Sequence, residues 1–235
     1  MIAKILKYYY AFMDNFLTRY WNQERPSNIN IKVLMFHHIC DEEITDMPDS
    51  CVCKIDTFSE IIISYLDNGW LFLTPYDLIT LKNNKGVIIT FDDITDDVYL
   101  NAFPILQKYN IPFTIFVTTE YIDAIPYITH AHLMEMANSP LCTIGSHTMY
   151  HKNLRNAVDF KEEIVSSKHL LEKMLGKSVD FFAYPYGKHS SVSKKLERFT
   201  KQVGYKAAFG TINASINDRS VKRKYYYPRI IENTI

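Results

Sequence analysis

The sequence predicts an α/β fold in which parallel strands and helices alternate as a distorted (β/α) barrel. Short apolar runs of strand length are separated by segments with helical periodicity, which is the pattern of parallel βα units. In addition, polar or reactive residues follow successive strands along the chain. In a parallel β/α barrel such residues collect at the carboxyl ends of the strands, so both observations point to the same architecture.

Seven apolar runs are the predicted strands. The first, at 31–36, reads IKVLMF, and the second, at 87–91, reads VIITF. Both are mostly apolar, as expected of strands that are buried in a parallel sheet. The remaining predicted strands lie at 113–117, 141–145, 181–184, 206–209 and 225–231.

The intervening segments have the composition and periodicity of amphipathic helices. The pattern is clearest at 156–175, where Phe160, Ile164 and Leu171 share one face and Gly176 provides the stop. The other predicted helices are 58–66, 98–109, 133–137 and 190–203.

Residues 1–30 are predicted to form an N-terminal amphipathic helix and a linker, and residues 31–235 form the main domain. Lys4, Lys7, Asp14 and Arg19 interrupt the apolar character of the first 21 residues, which argues against a signal peptide and against a spanning helix. Two interpretations remain open. The helix either packs on the domain or lies in a membrane interface as a peripheral contact.

Positive and negative residues are equal in number over the whole chain, but they are unevenly distributed along it. Lys and Arg together number 26, as do Asp and Glu, so the basic excess of a general nucleic-acid binder is missing and no nucleic-acid partner is expected. From Lys188 onward, however, eleven Lys and Arg residues stand against three Asp and Glu. This basic segment is either a solvated face or a contact for an anionic glycan, a diphosphate-linked precursor or acidic lipid headgroups.

Two motifs at strand ends indicate a metal site. Asp92 and Asp93 follow the strand at 87–91, and two adjacent carboxylates in a desolvated site require a nearby cation. His147 and His151 follow the strand at 141–145 and are predicted to face the same side of a helical turn. One carboxylate with two imidazoles suits Zn²⁺ or a similar divalent ion and leaves positions open for water and substrate.

Together with a third motif, these residues resemble the NodB-homology polysaccharide deacetylase family (carbohydrate esterase family 4). The family motif TFDDG is similar to residues 90–94 (TFDDI), and H-[ST]-x-x-H followed by Leu is similar to 147–154 (HTMYHKNL). The motif R-x-P-Y-G resembles 183–187 (AYPYG), and residues 101–117 resemble the helix and strand that follow the first motif. The likeness extends over residues 31–231, so it covers nearly the whole chain.

The resemblance implies a role for each matching residue. Asp92 would be the general base, and Asp93, His147 and His151 would hold the metal. The backbone N–H of Tyr186 would help to stabilise the oxyanion. The metal would polarise the acetamide carbonyl and acidify water, and an acid would protonate the departing amine.

The sequence departs from the family pattern at three places. Ile94 replaces the usual Gly, and Ala183 replaces an Arg that orients the catalytic Asp in many members; we expect Arg229 to take over that role from another strand end. The late Leu-x-His motif that usually supplies the acid is missing. The early pair His37-His38 resembles the poly-N-acetylglucosamine deacetylase branch, and His37 is preferred to His38 as the acid because it directly follows the aromatic residue.

The expected function is therefore that of a metal-dependent hydrolase that removes N-acetyl groups from an amino sugar. Its substrate would be an N-acetylated glycan or a lipid-linked sugar precursor, and its cofactor one divalent ion, with Zn²⁺ expected. An O-acetyl esterase, an amidase acting on a non-sugar substrate, and an inactive carbohydrate-binding protein are the alternatives. The lack of an evident export signal favours the cytoplasm, at the membrane face where surface glycans are assembled.

Overall fold

The computed structural model describes residues 2–22, 27–44, 48 and 51–232, and within them a parallel sheet forms the centre of the molecule. The strands of this sheet are β1 (Asn30–Phe36), β4 (Lys85–Phe91), β5 (Phe113–Val117), β6 (Cys142–Ser146), β7 (Phe181–Ala183), β8 (Ala207–Phe209) and β9 (Ile230–Ile231). They are ordered β8-β7-β6-β5-β4-β1-β9, and every pairing is parallel. Two short strands, β2 (His38–Ile39) and β3 (Val52–Cys53), pair separately. The predicted distorted (β/α) barrel is confirmed.

Helices cover the outside of the curled sheet. They are α1 (Ile2–Trp21), α2 (Ile55–Asp67), α3 (Pro75–Thr80), α4 (Phe103–Lys108), α5 (His130–Asn138), α6 (Phe160–Leu175) and α7 (Lys194–Gln202). The predicted helix at 98–109 begins as a π-helical turn, Val98–Ala102, before α4. The short helix α3 was not predicted, although Thr74 and Asp77 form a capping box at its start.

The alternation of side chains along β1 and β4 explains where the reactive residues lie. Val33 and Ile88 are register partners and belong to an inner apolar cluster, whereas their sequence neighbours pack under the helices. Successive side chains of a strand point to opposite faces. Every second residue after Val33 and Ile88 therefore faces the barrel interior. These positions lead to His37 and Asp92, which lie at its carboxyl end.

The last described segment joins the two edges of the sheet. Tyr227 pairs with Phe209 at the end of β8, and Ile230 pairs with Leu34 of β1. The predicted strand at 225–231 is thus interrupted, since Pro228 between these pairings has no N–H to donate to a ladder. This arrangement carries the next residue, Arg229, into the barrel.

Helix α1 packs on the barrel domain through one side. Leu17 and Trp21 are buried, and the Trp21 ring meets Tyr226 edge-on at 6.4 Å between centroids. Pro26, which the sequence places in the linker, lies outside the described residues. Within the residues that the structure describes, no helix combines the length and the apolar character that crossing a bilayer requires.

Candidate active site and metal centre

A cavity of about 430 Å³ opens at the carboxyl ends of the strands. Six of the seven predicted site residues line it: His37, Asp92, Asp93, His147, His151 and Tyr186. The seventh, Arg229, lies behind Asp92 and is fully buried. The structure therefore brings together all the residues that the sequence analysis selected.

Arg229 donates hydrogen bonds to the carboxylate of Asp92 from both of its terminal nitrogens. Each carboxylate oxygen accepts a hydrogen bond of 2.6 Å, while the Arg229 Nε donates to the carbonyl of Gly210 at 2.9 Å. Burial on its own raises the pKa of Asp92, but the charge of the Arg229 guanidinium outweighs it and holds the pKa well below the usual range for aspartate. Asp92 is consequently ionised although only 2% of its surface is exposed.

The protonation of His147 is set by the strand beside it. Its Nδ1 lies 2.8 Å from the carbonyl oxygen of Ala183, which can only accept, so Nδ1 carries the hydrogen and the lone pair of Nε2 faces the cavity. Burial lowers the pKa of His147 to about 4, against the opposing charges of Asp92 and Asp93. The ring is therefore neutral near pH 7, which is the form that binds a metal.

His151 reaches the same point from a loop rather than from a helix. The expectation that the two histidines share a helical turn is wrong, because the chain after β6 adopts positive φ angles at Thr148 (73°) and at His151 (53°). Glu163, in α6, holds this loop: its Oε2 accepts from the backbone N–H groups of Met149 and Tyr150, both at 3.0 Å. This carboxylate was missed from the sequence.

Asp93 completes a group of ligands that fits a divalent cation. Its Oδ1 lies 3.5 Å from Nε2 of His147 and 3.4 Å from Nε2 of His151, and all three ligand atoms lie within 4.8 Å of one another. This buried Oδ1 makes no hydrogen bond to the described residues, so it is an orphaned acceptor that a cation would satisfy. Two imidazoles and a carboxylate are ligands that Zn²⁺ accepts, with a position left open.

The structure separates the two early histidines. His37 lines the cavity, whereas His38 is buried elsewhere, with its Nδ1 2.7 Å from Oδ2 of Asp97. Burial lowers the pKa of His37, and the carboxylates of Asp92 and Asp93 partly oppose this shift. Of the two, His37 is therefore the one whose side chain can reach a molecule bound in the cavity.

Tyr186 occupies a tight left-handed turn at the mouth of the cavity. Its φ angle is 62°, its carbonyl accepts from the Thr211 hydroxyl at 2.8 Å, and its ring lies 4.9 Å from that of His151. The next residue, Gly187, also has a positive φ, and a Cβ there would come within 2.5 Å of the Thr211 methyl group. Glycine is thus required at position 187 of this turn.

Comparison with known proteins places this site in a family. The family model for polysaccharide deacetylase matches residues 81–208, which is more than half of the chain. The chain belongs to the polysaccharide deacetylase family. The matched residues include Asp92, Asp93, His147, His151 and Tyr186, and exclude the early His37 and the late Arg229.

Individual polysaccharide deacetylases resemble the chain in sequence and in fold. Poly-beta-1,6-N-acetyl-D-glucosamine N-deacetylase of Staphylococcus aureus is 30% identical over 180 residues, covering 68% of this chain and 60% of that protein. The curated relatives are longer, and the chain spans 60% to 65% of the length of those it matches.

Two solved structures of deacetylases superpose closely on the chain. BC0361, a polysaccharide deacetylase from Bacillus cereus, gives a TM-score of 0.78 at 27% identity, covering 88% of this chain and 66% of that one. The Streptococcus pyogenes deacetylase PplD, solved in complex with acetate, gives a TM-score of 0.76 at 26% identity, covering 87% of this chain and 94% of that one.

The departures from the deacetylase motifs now have a structural explanation. Ala183 carries no guanidinium, and Arg229, 46 positions further along the chain, supplies one to Asp92. Ile94 has a φ of 52°, the left-handed region for which Gly is suited, and a β-branched residue is strained there. Its side chain is nevertheless buried in the main apolar core, which offsets that strain.

Proposed function

We propose that the protein is a metal-dependent N-deacetylase that acts on an N-acetylated glycan or on its lipid-linked precursor. The observation that carries this proposal is the meeting of Asp93, His147 and His151 within one cavity, beside the ionised Asp92. Membership of the polysaccharide deacetylase family supports it. So does the S. aureus relative, which is named for removing acetyl groups from poly-N-acetylglucosamine.

The base and its surroundings suit hydrolysis by water. A divalent ion held by Asp93, His147 and His151 would supply Lewis-acid polarisation of the acyl carbonyl and of water. Asp92 is kept ionised and fixed in orientation by Arg229, so it can accept the proton that the attacking water loses. Because both oxygens are held, the carboxylate does not have to reorganise during the step.

The leaving amine and the oxyanion need groups of their own. The backbone N–H of Tyr186, at the cavity mouth, is the proposed donor to the oxyanion. His37 is the proposed acid, and it donates its proton to the departing amine nitrogen. An intact set of ionisable residues argues against an inactive carbohydrate-binding protein, since buried groups of this kind cost stability when they serve no purpose.

Acetate release from N-acetylated oligosaccharides tests the proposal. We expect release by the purified protein, loss of release with a chelator, and recovery when Zn²⁺ is added back. The variant Asp92→Asn, assayed after the same metal addition, is the matched control for acetate that arises without the site. Release from O-acetylated sugars alone would reassign the activity to an esterase, and no release from either class of substrate would contradict it.

A further inference from the structure

Helix α1 presents a row of aromatic side chains to solvent. Tyr9, Phe12, Phe16 and Tyr20 follow one another at the three- and four-residue spacing of a single helix face, and they are 53%, 65%, 49% and 40% exposed. Phe12 stacks on Phe16, and Phe16 on Tyr20, at 6.4 and 6.0 Å between ring centroids. We call these four residues the aromatic stripe. An exposed, continuous apolar row of this kind marks an interaction surface.

The stripe faces outward because the opposite side of α1 is tied to the barrel domain. Asp14 accepts a hydrogen bond of 2.7 Å from the backbone N–H of His189. Leu17 and Trp21 are buried, and the Trp21 carbonyl accepts from the side chain of Asn217. Turning the stripe inward would break each of these contacts, so the exposed face is a property of the packed helix.

Cations lie beside the stripe at its carboxyl end. Arg19 is exposed on α1 itself, while Asp14, the acid of this helix, is engaged with the domain. Arg219 lies over the Tyr20 ring at 4.5 Å and donates to the Tyr20 carbonyl. The carboxyl end of the row of rings is therefore bordered by positive charge.

A basic groove adjoins the carboxyl end of α1. Arg223 stacks over the buried Trp21 ring at 5.5 Å and forms one wall of a cavity of about 630 Å³ between α7 and the segment 222–225. Six cations line this groove against one carboxylate, Glu197, which already pairs with Arg223 at 2.6 Å. The six are Lys194, Arg198, Lys201, Lys222, Arg223 and Lys224.

We infer that the aromatic stripe and the basic groove together form a docking surface for an anionic lipid bilayer. Phe and Tyr rings insert at the level of the headgroups, where the phenol can remain wet, and Lys and Arg are attracted to acidic headgroups. A second protein copy would meet the same excess of positive charge on its own surface, and like charges oppose that pairing.

The helix that carries the stripe is tied to a segment that lines the cavity. Asp14 of α1 holds His189, the residue next to Lys188, which lines the cavity. Arg155 lies over the Tyr10 ring at 4.7 Å and also donates to the carbonyl of His189. The consequence that the substrate is a glycan held at a membrane rests on the proposed function, whereas lipid binding itself does not.

Sedimentation with vesicles tests the inference. The native protein should pellet with phosphatidylcholine vesicles that contain phosphatidylglycerol, weakly with phosphatidylcholine alone, and less at high salt because salt screens the headgroup charge. The double variant Phe12→Ser/Phe16→Ser should lose at least about tenfold in vesicle affinity, since both rings leave the interface. Its control is Leu71→Ser/Leu100→Ser, which removes two comparably exposed apolar side chains elsewhere and should bind as the native protein does.

The groove is tested by charge removal at four of its cations, of which Arg198, Lys201 and Lys222 are exposed and Lys224 is half-buried. We expect vesicle affinity to fall by about tenfold or more when Arg198→Gln, Lys201→Gln, Lys222→Gln and Lys224→Gln are combined, because four charges attracted to the headgroups are removed. The control removes four exposed lysines at other places: Lys54→Gln, Lys82→Gln, Lys108→Gln and Lys173→Gln.

Three outcomes would overturn the inference: no pelleting at low salt, unchanged vesicle binding by the Phe12 and Phe16 variant, or a native dimer that this variant converts to monomer. All variants should release acetate from a free N-acetylated oligosaccharide at the native rate. Failure of deacetylation therefore remains distinguishable from failure of lipid binding.

Discussion

Arg229 and Asp92 are 137 positions apart in the sequence and meet through two hydrogen bonds of 2.6 Å inside the barrel. Neither side chain has appreciable contact with solvent. The pair exists because the segment containing Arg229 returns between β8 and β1, and β1 pairs with β4, the strand that Asp92 directly follows. The segment that joins β8 to β1 therefore also supplies the positive charge that keeps Asp92, the proposed base, ionised.

Replacing Arg229 should destabilise the fold as well as the site. Arg229→Ala leaves a buried carboxylate without a partner and should cost about 3–5 kcal/mol of unfolding free energy. Arg229→Lys keeps the charge but not the pair of hydrogen bonds, so it should lose less unfolding free energy than Arg229→Ala. Urea unfolding checks both, and Arg198→Lys on the exposed face of α7 is the control, with a change below about 0.5 kcal/mol.

The same pair predicts a dependence of stability on pH. Because folding lowers the pKa of Asp92, its contribution is fully present above the unfolded value of about 3.9 and is lost as the pH falls below it. Arg229→Ala should flatten this acid limb of the unfolding free energy. An equally steep limb in the variant would show that other carboxylates are responsible.

The variant Asp92→Asn should separate the base from the metal. The amide keeps the shape but cannot accept the proton, so kcat should fall by about 10²–10⁴. Zinc content should stay at the native level, because Asp93, His147 and His151 are unchanged. Near-native turnover would move the base to another residue.

Glu163 should control metal affinity without touching the metal. Glu163→Ala removes the acceptor for two backbone N–H groups of the loop that carries His151 and should weaken Zn²⁺ binding by about 10–100-fold, as for other residues that orient ligands. Glu163→Gln keeps one oxygen for these groups and should lose less. Glu162→Ala, on the exposed side of α6, is the control in competition titrations. Native affinity in a folded Glu163→Ala would contradict this role.

His37 should be the source of the alkaline limb of the pH–rate profile. An acid must be protonated to act, and burial lowers the pKa of His37, so activity should already fall as the pH rises through values below the ordinary 6.5. The rate of His37→Ala should be lower by about 10²–10⁴, and the alkaline limb should disappear from its pH–rate profile, while the metal is retained. His38→Ala should be milder, since His38 contacts Asp97 outside the cavity. An inactive His38→Ala with a nearly native His37→Ala would reverse the assignment.

The sequence was sufficient for the strand ends but not for the loops beyond them. His37, Asp92 and His147 could be selected because each follows a buried strand, and strand geometry alone brings such ends together. The spacing of His147 and His151 did not distinguish a helical turn from a loop, because both can bring positions four apart close together. The loop is held by Glu163, a tertiary contact that the spacing of the two histidines does not reveal.

Glu163 did carry a signal that could have been used. It lies three residues after Phe160, on the apolar side of the predicted helix at 156–175, and a carboxylate there must find partners within the protein. What it binds could not be known without the fold. The aromatic stripe of α1 was visible as a pattern, but its outward orientation depends on contacts such as that of Asp14 with His189.

The central claim is that Asp93, His147 and His151 hold one divalent ion on which deacetylation depends. The most direct measurement is zinc content by mass spectrometry, together with acetate release, on the native protein and on His147→Ala/His151→Ala. His130→Ala/His169→Ala, which removes two exposed histidines, is the control. We predict one ion and activity for the native protein and the control, and neither for the His147 and His151 variant. One tightly held ion at native affinity, or native acetate release, in that variant would contradict the account.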